Sequence, residues 1–121
     1  MSVPQGVKET LLWKKATELV EKIQVFSDRI LDSEFDIYSV SKNLRRNAND
    51  LQCYIEDSYS GSSKTSRNKN AYLAEVSVSE CINCLNQAER LHLGEPSELI
   101  KSANQVHEML KDGTLIYNHT A

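Results

Sequence analysis

The chain has 121 residues and a net charge of −3, and 40% of its residues are hydrophobic. This length fits a single domain over residues 1–121. The acidic balance disfavours a strongly basic nucleic-acid binder, although it leaves room for a local basic patch. No run of about 18 apolar residues predicts a membrane span, and the N-terminus has neither the basic nor the apolar region of a signal peptide.

Cysteine, glycine and proline usage narrows the class further. The count of three Cys is odd, and two of them are close together, which is typical of reduced thiols rather than of a disulfide framework. We therefore expect a cytoplasmic protein. Four Gly and two Pro allow few obligatory turns, so the composition favours a few long elements over many short ones.

The first two helices are predicted over residues 7–32 and 36–57. Apolar residues recur at helical spacing in both, first at Leu12, Ala16, Leu19, Ile23, Phe26 and Ile30, then at Ile37, Val40, Leu44, Ala48, Leu51 and Ile55. The intervening Asp32-Ser33-Glu34 predicts a short break with capping side chains, which makes the two helices antiparallel neighbours.

A polar, serine-rich stretch over residues 57–66 predicts the longest loop of the chain and its most mobile part.

The last two helices are predicted over residues 66–92 and 97–117. The third places Ala71, Ala74, Val78, Cys81, Leu85 and Ala88 on one face, and the fourth Leu99, Ala103, Val106 and Leu110. Gly94 predicts a left-handed stop and Pro96 a first-turn residue, so the connection is tight. The fold class is therefore all-α, an up-down-up-down antiparallel four-helix bundle.

Several helices carry apolar residues on more than one face. They are Val25 and Leu31 in the first helix, Leu73 and Ile82 in the third, and Ile116 and Tyr117 in the fourth. A small bundle buries one stripe per helix, so the additional residues favour a second buried surface and hence self-association. The alternative is that isolated exposed apolar residues are ordinary.

One pattern resembles part of a metal site but lacks the other ligands that such a site needs. Glu89-x-x-His92 is half of the motif that di-iron bundles use twice, together with a core Glu on each of two other helices. The matching stretch in the fourth helix has Asn104 before His107, and the core stripes of the first two helices contain no Asp or Glu. We therefore interpret His92 as a histidine near a helix C-terminus, where its charge suits the helix dipole.

Other catalytic motifs are equally incomplete. Cys81-x-x-Cys84 has no second ligand pair for zinc and no preceding strand for thioredoxin-like chemistry, so Cys81 is interpreted as a small core residue. No Gly-x-Ser-x-Gly elbow or phosphate-binding glycine loop is present. The sequence thus predicts no enzyme activity, no cofactor and no metal.

Basic residues offer the remaining candidate site. Two groups stand out, one in the second helix and one beside the serine-rich stretch: Lys42, Arg45, Arg46, Lys64, Arg67 and Lys69. We expect the two groups to lie near one another at one end of the bundle. There they would contact phosphates or a neighbouring subunit. The alternative is a solvated face with salt bridges to Asp50, Glu56 and Asp57.

Three blocks of sequence resemble a known family. Residues 44–48 (LRRNA) with 55–59 (IEDSY) resemble the family pattern LRRAAxSIPSNIAEGY, and residues 12–20 (LWKKATELV) resemble its LWxKAxxLV. The match to the family pattern is weaker in the last two helices, where it consists of Ser77-x-x-Glu80 and the pairs Met109-Leu110 and Leu115-Ile116. The family is that of the bacterial four-helix bundle proteins, historically described as ribosomal-RNA intervening-sequence proteins. It is similar to the accessory variability determinant of diversity-generating retroelements.

The resemblance implies a homo-oligomer, in particular a homopentamer, without enzymatic activity. The accessory determinant binds nucleic acid and a reverse transcriptase, so the similarity to it implies these two partners as well. The chain departs from the family at Gln52, where the family has Pro, so the second helix is predicted to run straight through this position. The favoured hypothesis is a non-catalytic oligomeric scaffold or accessory factor. The alternative is a nucleic-acid-binding accessory protein that works with a reverse transcriptase or structured RNA.

Overall fold

Four α-helices account for most of the chain in the computed structural model, which describes residues 10–36, 39–60 and 63–112. They are α1 (Leu11–Ile30), α2 (Val40–Ser60), α3 (Lys64–Arg90) and α4 (Ser97–Asp112), with no strand among the described residues. Each helix packs on its neighbours along the chain, and α1 also packs on α4. The predicted all-α four-helix bundle is confirmed.

The outer bounds of the bundle differ little from the prediction. Helix α1 begins after Thr10, whose hydroxyl oxygen accepts a hydrogen bond from the Trp13 N–H at 3.2 Å. The predicted start at residues 7–9 and the predicted end of the fourth helix over 113–117 lie outside the described residues. Helix α2 is continuous through Gln52, as predicted from the absence of proline at this position.

The predicted long loop over residues 57–66 is wrong, because most of it is helical. The buried Ser58 hydroxyl donates to the Ile55 carbonyl at 2.6 Å, and the Ser60 hydroxyl donates to the Glu56 carbonyl at 3.0 Å. These serines therefore satisfy their hydroxyls within the helix and do not end it. Ser63 caps α3 by accepting from the Ser66 N–H at 3.1 Å, which leaves only residues 61–63 as the connection.

The connection between α1 and α2 is longer than predicted, because α2 begins at Val40 rather than near residue 36. The capping side chain is Asp36, whose carboxylate accepts from the backbone N–H groups of Val40 at 2.6 Å and Ser41 at 3.3 Å. It also accepts from the Ser41 hydroxyl. Asp36 thus satisfies backbone donors that the first turn of a helix leaves unpaired. Ile37, predicted to join the core, lies outside the described residues.

Helices α2 and α3 form the most extensive pairing in the bundle. The buried residues of α3 are mostly small: Ala74, Ser77, Cys81, Cys84 and Ala88, besides Val78 and Leu85. Small side chains at a helix–helix contact let the two backbones approach closely. The contact between α1 and α4 is the least extensive of the four, which leaves a groove between these two helices.

The turn between α3 and α4 confirms the prediction for Gly94. Its backbone is left-handed at φ +65°, and a Cβ there would lie 2.7 Å from the Phe26 ring. Glycine is therefore required twice, once for its backbone angle and once for the close approach of Phe26. His92 also has a positive φ of 56°. None of the described helices combines the length and the apolar character that crossing a bilayer needs.

Replacing Asp36 with Ala removes the cap of α2, so we expect the free energy of unfolding to fall by about 1 kcal/mol. Urea denaturation followed by circular dichroism measures the change. Asp32→Ala is the matched control, because Asp32 is an exposed residue of the same connection. Equal losses in the two variants would contradict the assigned role of Asp36.

Candidate binding surfaces

The six candidate basic residues lie at opposite ends of the bundle. Lys42, Arg45 and Arg46 occupy the first two turns of α2, whereas Lys64, Arg67 and Lys69 occupy the first two turns of α3. Because α3 begins just after α2 ends, the two groups are separated by much of the length of α2. At 1.5 Å per residue along the helix axis, the centres of the groups are about 20 Å apart. The expectation that both groups meet at one end is therefore wrong.

The α2 group lines a shallow groove of about 400 Å³ with Asn49 and Asp50, which we call the α2 basic groove. Lys42 and Arg46 are exposed, and Arg45 is half-buried. The three cations lie near the N-terminal end of α2, where the helix dipole is also positive. The dipole and the side chains therefore favour an anion in this groove, although Asp36 and Asp50 offset part of that field.

Arg45 makes a salt bridge with Asp28 on α1. This pair differs from the salt bridges to Asp50, Glu56 and Asp57 expected from the sequence, because α1 lies against that side of α2. Gln24 on α1 also donates to Asn49 on α2 at 2.9 Å. Both Asp28 and Arg45 remain substantially exposed, so the pair contributes little to stability and mainly orients the Arg45 side chain.

The three cysteines are free thiols, and their surroundings favour the protonated form. Burial raises the pKa of Cys81 to about 12, and burial also raises the pKa of Cys84, against a hydrogen bond from Asn47. Cys53 is exposed, but desolvation and then the charges of Glu56 and Asp57 raise its pKa too. The thiolate is the nucleophile and the metal ligand, so all three positions are poorly suited to either role at neutral pH.

The Glu-x-x-His residues lie away from the bundle core. Glu89 is exposed in the last turn of α3, and His92 is exposed beyond its end. Asn104 is exposed as well, and His107 is half-buried with its Nε2 3.7 Å from Glu75. Within residues 10–36, 39–60 and 63–112, no group of three or more His, Cys, Asp or Glu side chains is arranged to hold a metal. His119 lies outside these ranges.

Six large apolar side chains are exposed on the described surface. They are Leu11, Val25, Leu31, Phe35, Tyr72 and Val76, between 41% and 64% exposed. Of the additional apolar residues predicted from the sequence, Val25 and Leu31 are in this set, whereas Leu73 and Ile82 are half-buried. Ile116 and Tyr117 lie outside the described residues.

Sequence reasoning did not single out Phe35, Tyr72 or Val76. For Tyr72 and Val76 a signal exists, since they are spaced by four on the face of α3 opposite its buried stripe. Phe35 has no such signal, because it lies in a connection without helical periodicity.

Val25 lies in the groove between α1 and α4, which has a volume of about 490 Å³ and which we call the α1–α4 groove. Its apolar part consists of Val25, Phe26 and Leu99. The charged residues around it are Glu21, Lys22 and Arg29 on the α1 side and Glu95 and Glu98 on the α4 side. An apolar centre with a charged rim is the usual composition of a protein-binding surface.

Tyr72 and Val76 form a second exposed apolar surface on α3. Glu80 continues the same row one turn further, and we call these three residues the α3 ridge. Tyr72 is 64% exposed and Val76 41%. An exposed tyrosine is a common anchor at interfaces, because the ring offers a large contact area with few rotatable bonds.

Comparisons of the chain with protein-family models, with curated proteins and with solved structures gave no match.

Burial and raised thiol pKa values together predict the order of cysteine modification. At pH 8 we expect N-ethylmaleimide to label Cys53 alone, and more slowly than an unperturbed thiol, because a raised pKa leaves less thiolate. The rate should increase as the pH rises towards the pKa. Mass spectrometry counts the labels, and urea should expose all three sites. A Cys53→Ser variant that still labels rapidly when folded would contradict the buried placement of Cys81 and Cys84.

Proposed function

We propose that this protein is a non-catalytic four-helix bundle that acts as an oligomeric scaffold or accessory factor in the cytoplasm. One observation carries the proposal: large apolar side chains remain exposed on outer faces, although each helix already buries an apolar stripe. Among the described residues, twenty-two hydrophobic residues are buried in the core, and the stripe of every helix contributes to it. Contiguous exposed apolar patches are typical of surfaces that bind another protein.

The energetics set how many apolar side chains a stable contact has to bury. Fully burying one Val, Leu or Phe side chain contributes about 1.5–3 kcal/mol. Association costs roughly 4–15 kcal/mol of lost motion, so a contact has to cover several such residues at once. The groove and the ridge each present an apolar cluster with charged neighbours, which suits a contact of this kind.

The chemistry of the described residues supports a binding role over catalysis. The buried thiols have raised pKa values, and Glu89 and His92 lie outside the core. His107 is the more buried of the two described histidines, and its Nε2 lies 3.7 Å from Glu75. A general base needs a nucleophile or a substrate site within hydrogen-bond reach. Among the described residues, neither Glu89 with His92 nor Glu75 with His107 forms part of such an arrangement.

The partner we favour is the protein itself. The additional apolar faces are the structural reason, and the resemblance of residues 12–20 and 44–59 to the four-helix bundle proteins adds a homopentamer as the specific expectation. Light scattering of the purified protein tests it, and the expected mass is about five times 13.7 kDa. The mass should fall on dilution. A monomer at all concentrations would refute the proposal.

A second function, binding of nucleic acid beside a reverse transcriptase or on structured RNA, is favoured by the α2 basic groove. Lys42 and Arg46 are exposed there, and neither makes a salt bridge with another described residue. Cations on one surface at the positive end of a helix are suited to phosphate contacts. The net charge of −3 opposes such binding at long range, so we rank this function second.

A double variant, Lys42→Ala/Arg46→Ala, tests the second function. We expect about tenfold weaker binding of a fluorescent RNA hairpin in anisotropy titrations, and a salt dependence that is less steep by about two charges. Arg90→Ala/Lys111→Ala removes the same two charges elsewhere and should bind like the wild type. Failure of the wild-type protein to bind the hairpin at low salt would remove this function.

A further inference from the structure

We infer that copies of this chain associate head to tail, with the α3 ridge of one copy seated in the α1–α4 groove of the next. The inference rests on the self-association proposed above and names the two surfaces that carry it. The ridge consists of Tyr72, Val76 and Glu80. The facing row of the groove consists of Glu21, Val25 and Arg29.

The groove row is a regular ridge of α1. Its three residues are spaced by four, so they follow one another along the same side of the helix. Val25 is 52% exposed, and Glu21 and Arg29 are exposed one turn before and after it. This side of α1 thus presents, in chain order, a negative charge, an apolar side chain and a positive charge.

The α3 ridge has the same spacing and the opposite order of charge. Tyr72 and Val76 are followed one turn later by Glu80, and the exposed Lys69 precedes Tyr72 by three residues. This side of α3 presents, in chain order, a positive charge, two apolar side chains and a negative charge. Tyr72 and Val76 together offer apolar surface to a groove of about 490 Å³ whose apolar part consists of Val25, Phe26 and Leu99.

Of the two directions in which Val76 can lie beside Val25, the parallel one makes the charges of the two rows complementary. Placing Val76 beside Val25 brings Glu80 level with Arg29, and it brings Tyr72 and Lys69 towards Glu21. Reversing one helix would place Glu80 near Glu21 and Lys69 near Arg29, so like charges would meet. Like-charge juxtapositions of this kind suppress the wrong arrangement of two surfaces.

The four charged residues are available for such a contact. None of Glu21, Arg29, Lys69 and Glu80 forms a salt bridge with another described residue. The neighbouring Lys22 and Glu98 are already paired on their own helices, with Glu18 at 2.8 Å and Lys101 at 3.7 Å. Pairing with a second copy therefore costs these four residues no described salt bridge.

The topology of the bundle makes a parallel contact repeatable. Helices α1 and α3 run in the same direction in an up-down-up-down bundle, so a parallel contact between copies corresponds to rotation about an axis along the helices. The groove and the ridge lie on different helices, which lets one copy use both at once. Contacts between two different surfaces repeat from copy to copy, and they close into a ring when the rotation between successive copies returns to the first copy. A partner of other chemistry would not need both surfaces on one chain.

Two surface variants test the pairing. Val25→Glu blocks the groove and Val76→Glu blocks the ridge, and each alone should reduce the light-scattering mass to that of the monomer. Leu11→Glu is the matched control, since Leu11 is 54% exposed on α1 but belongs to neither surface. An equimolar mixture of the two blocked variants should form a dimer and nothing larger, because one intact ridge and one intact groove remain.

A charge exchange provides the second measurement and keeps the test independent of folding. Arg29→Glu and Glu80→Arg should each raise the dissociation constant by about tenfold, and the two combined in one chain should restore it. Circular dichroism should be unchanged in all of them. Restoration excludes a folding defect, because both substitutions are then still present.

The outcomes separate this inference from the proposed function. A monomeric wild-type protein would overturn both. An oligomer that persists in Val25→Glu and Val76→Glu would overturn the head-to-tail contact and leave self-association standing. An oligomer lost in Val25→Glu but kept in Val76→Glu would mean that the groove pairs with itself, which also overturns the inference.

Discussion

The close pairing of α2 and α3 sets the shape of this bundle. Small side chains along α3 let the two helices lie together over most of their length, and this pairing is the most extensive in the molecule. Helices α1 and α4 then pack on the outer sides of that pair, while their contact with each other stays the least extensive. The groove between them, with Val25 exposed in it, is a direct consequence of where the small residues lie.

The same close pairing of α2 and α3 makes two of the cysteine thiols unreactive. Cys81 and Cys84 are among the small residues of the α2–α3 contact, so burial holds their thiols protonated and keeps them from redox or metal chemistry. The surfaces suited to binding therefore lie on the outer faces of the helices rather than in the interior. These faces differ in character: the one on α2 is basic, and those on α1 and α3 are apolar with charged neighbours.

The misassigned serine-rich stretch has a clear physical origin. The serine-rich stretch over residues 57–66 looked like a loop, because serine favours turns when its hydroxyl bonds to nearby backbone. In the bundle, Ser58 is buried and bonds to a helical carbonyl, and tertiary packing outweighs the local preference. The error about the basic residues had a different origin. Lys42, Arg45 and Arg46 lie in the first two turns of α2, whereas Lys64, Arg67 and Lys69 follow its C-terminal end, so the length of α2 separates the groups however long the connection is.

The sequence by itself determined the number of helices, the core stripe of each and the glycine stop at Gly94, because apolar spacing and backbone freedom are properties of the local chain. It also indicated that Val25 and Leu31 exceed what one stripe can bury. Only the tertiary structure decided which residues become neighbours on the surface. Arg45 pairs with Asp28, and Val25 and Leu99 line the same groove, because separate helices are brought side by side. Such neighbours depend on how helices pack, which no single helical period records.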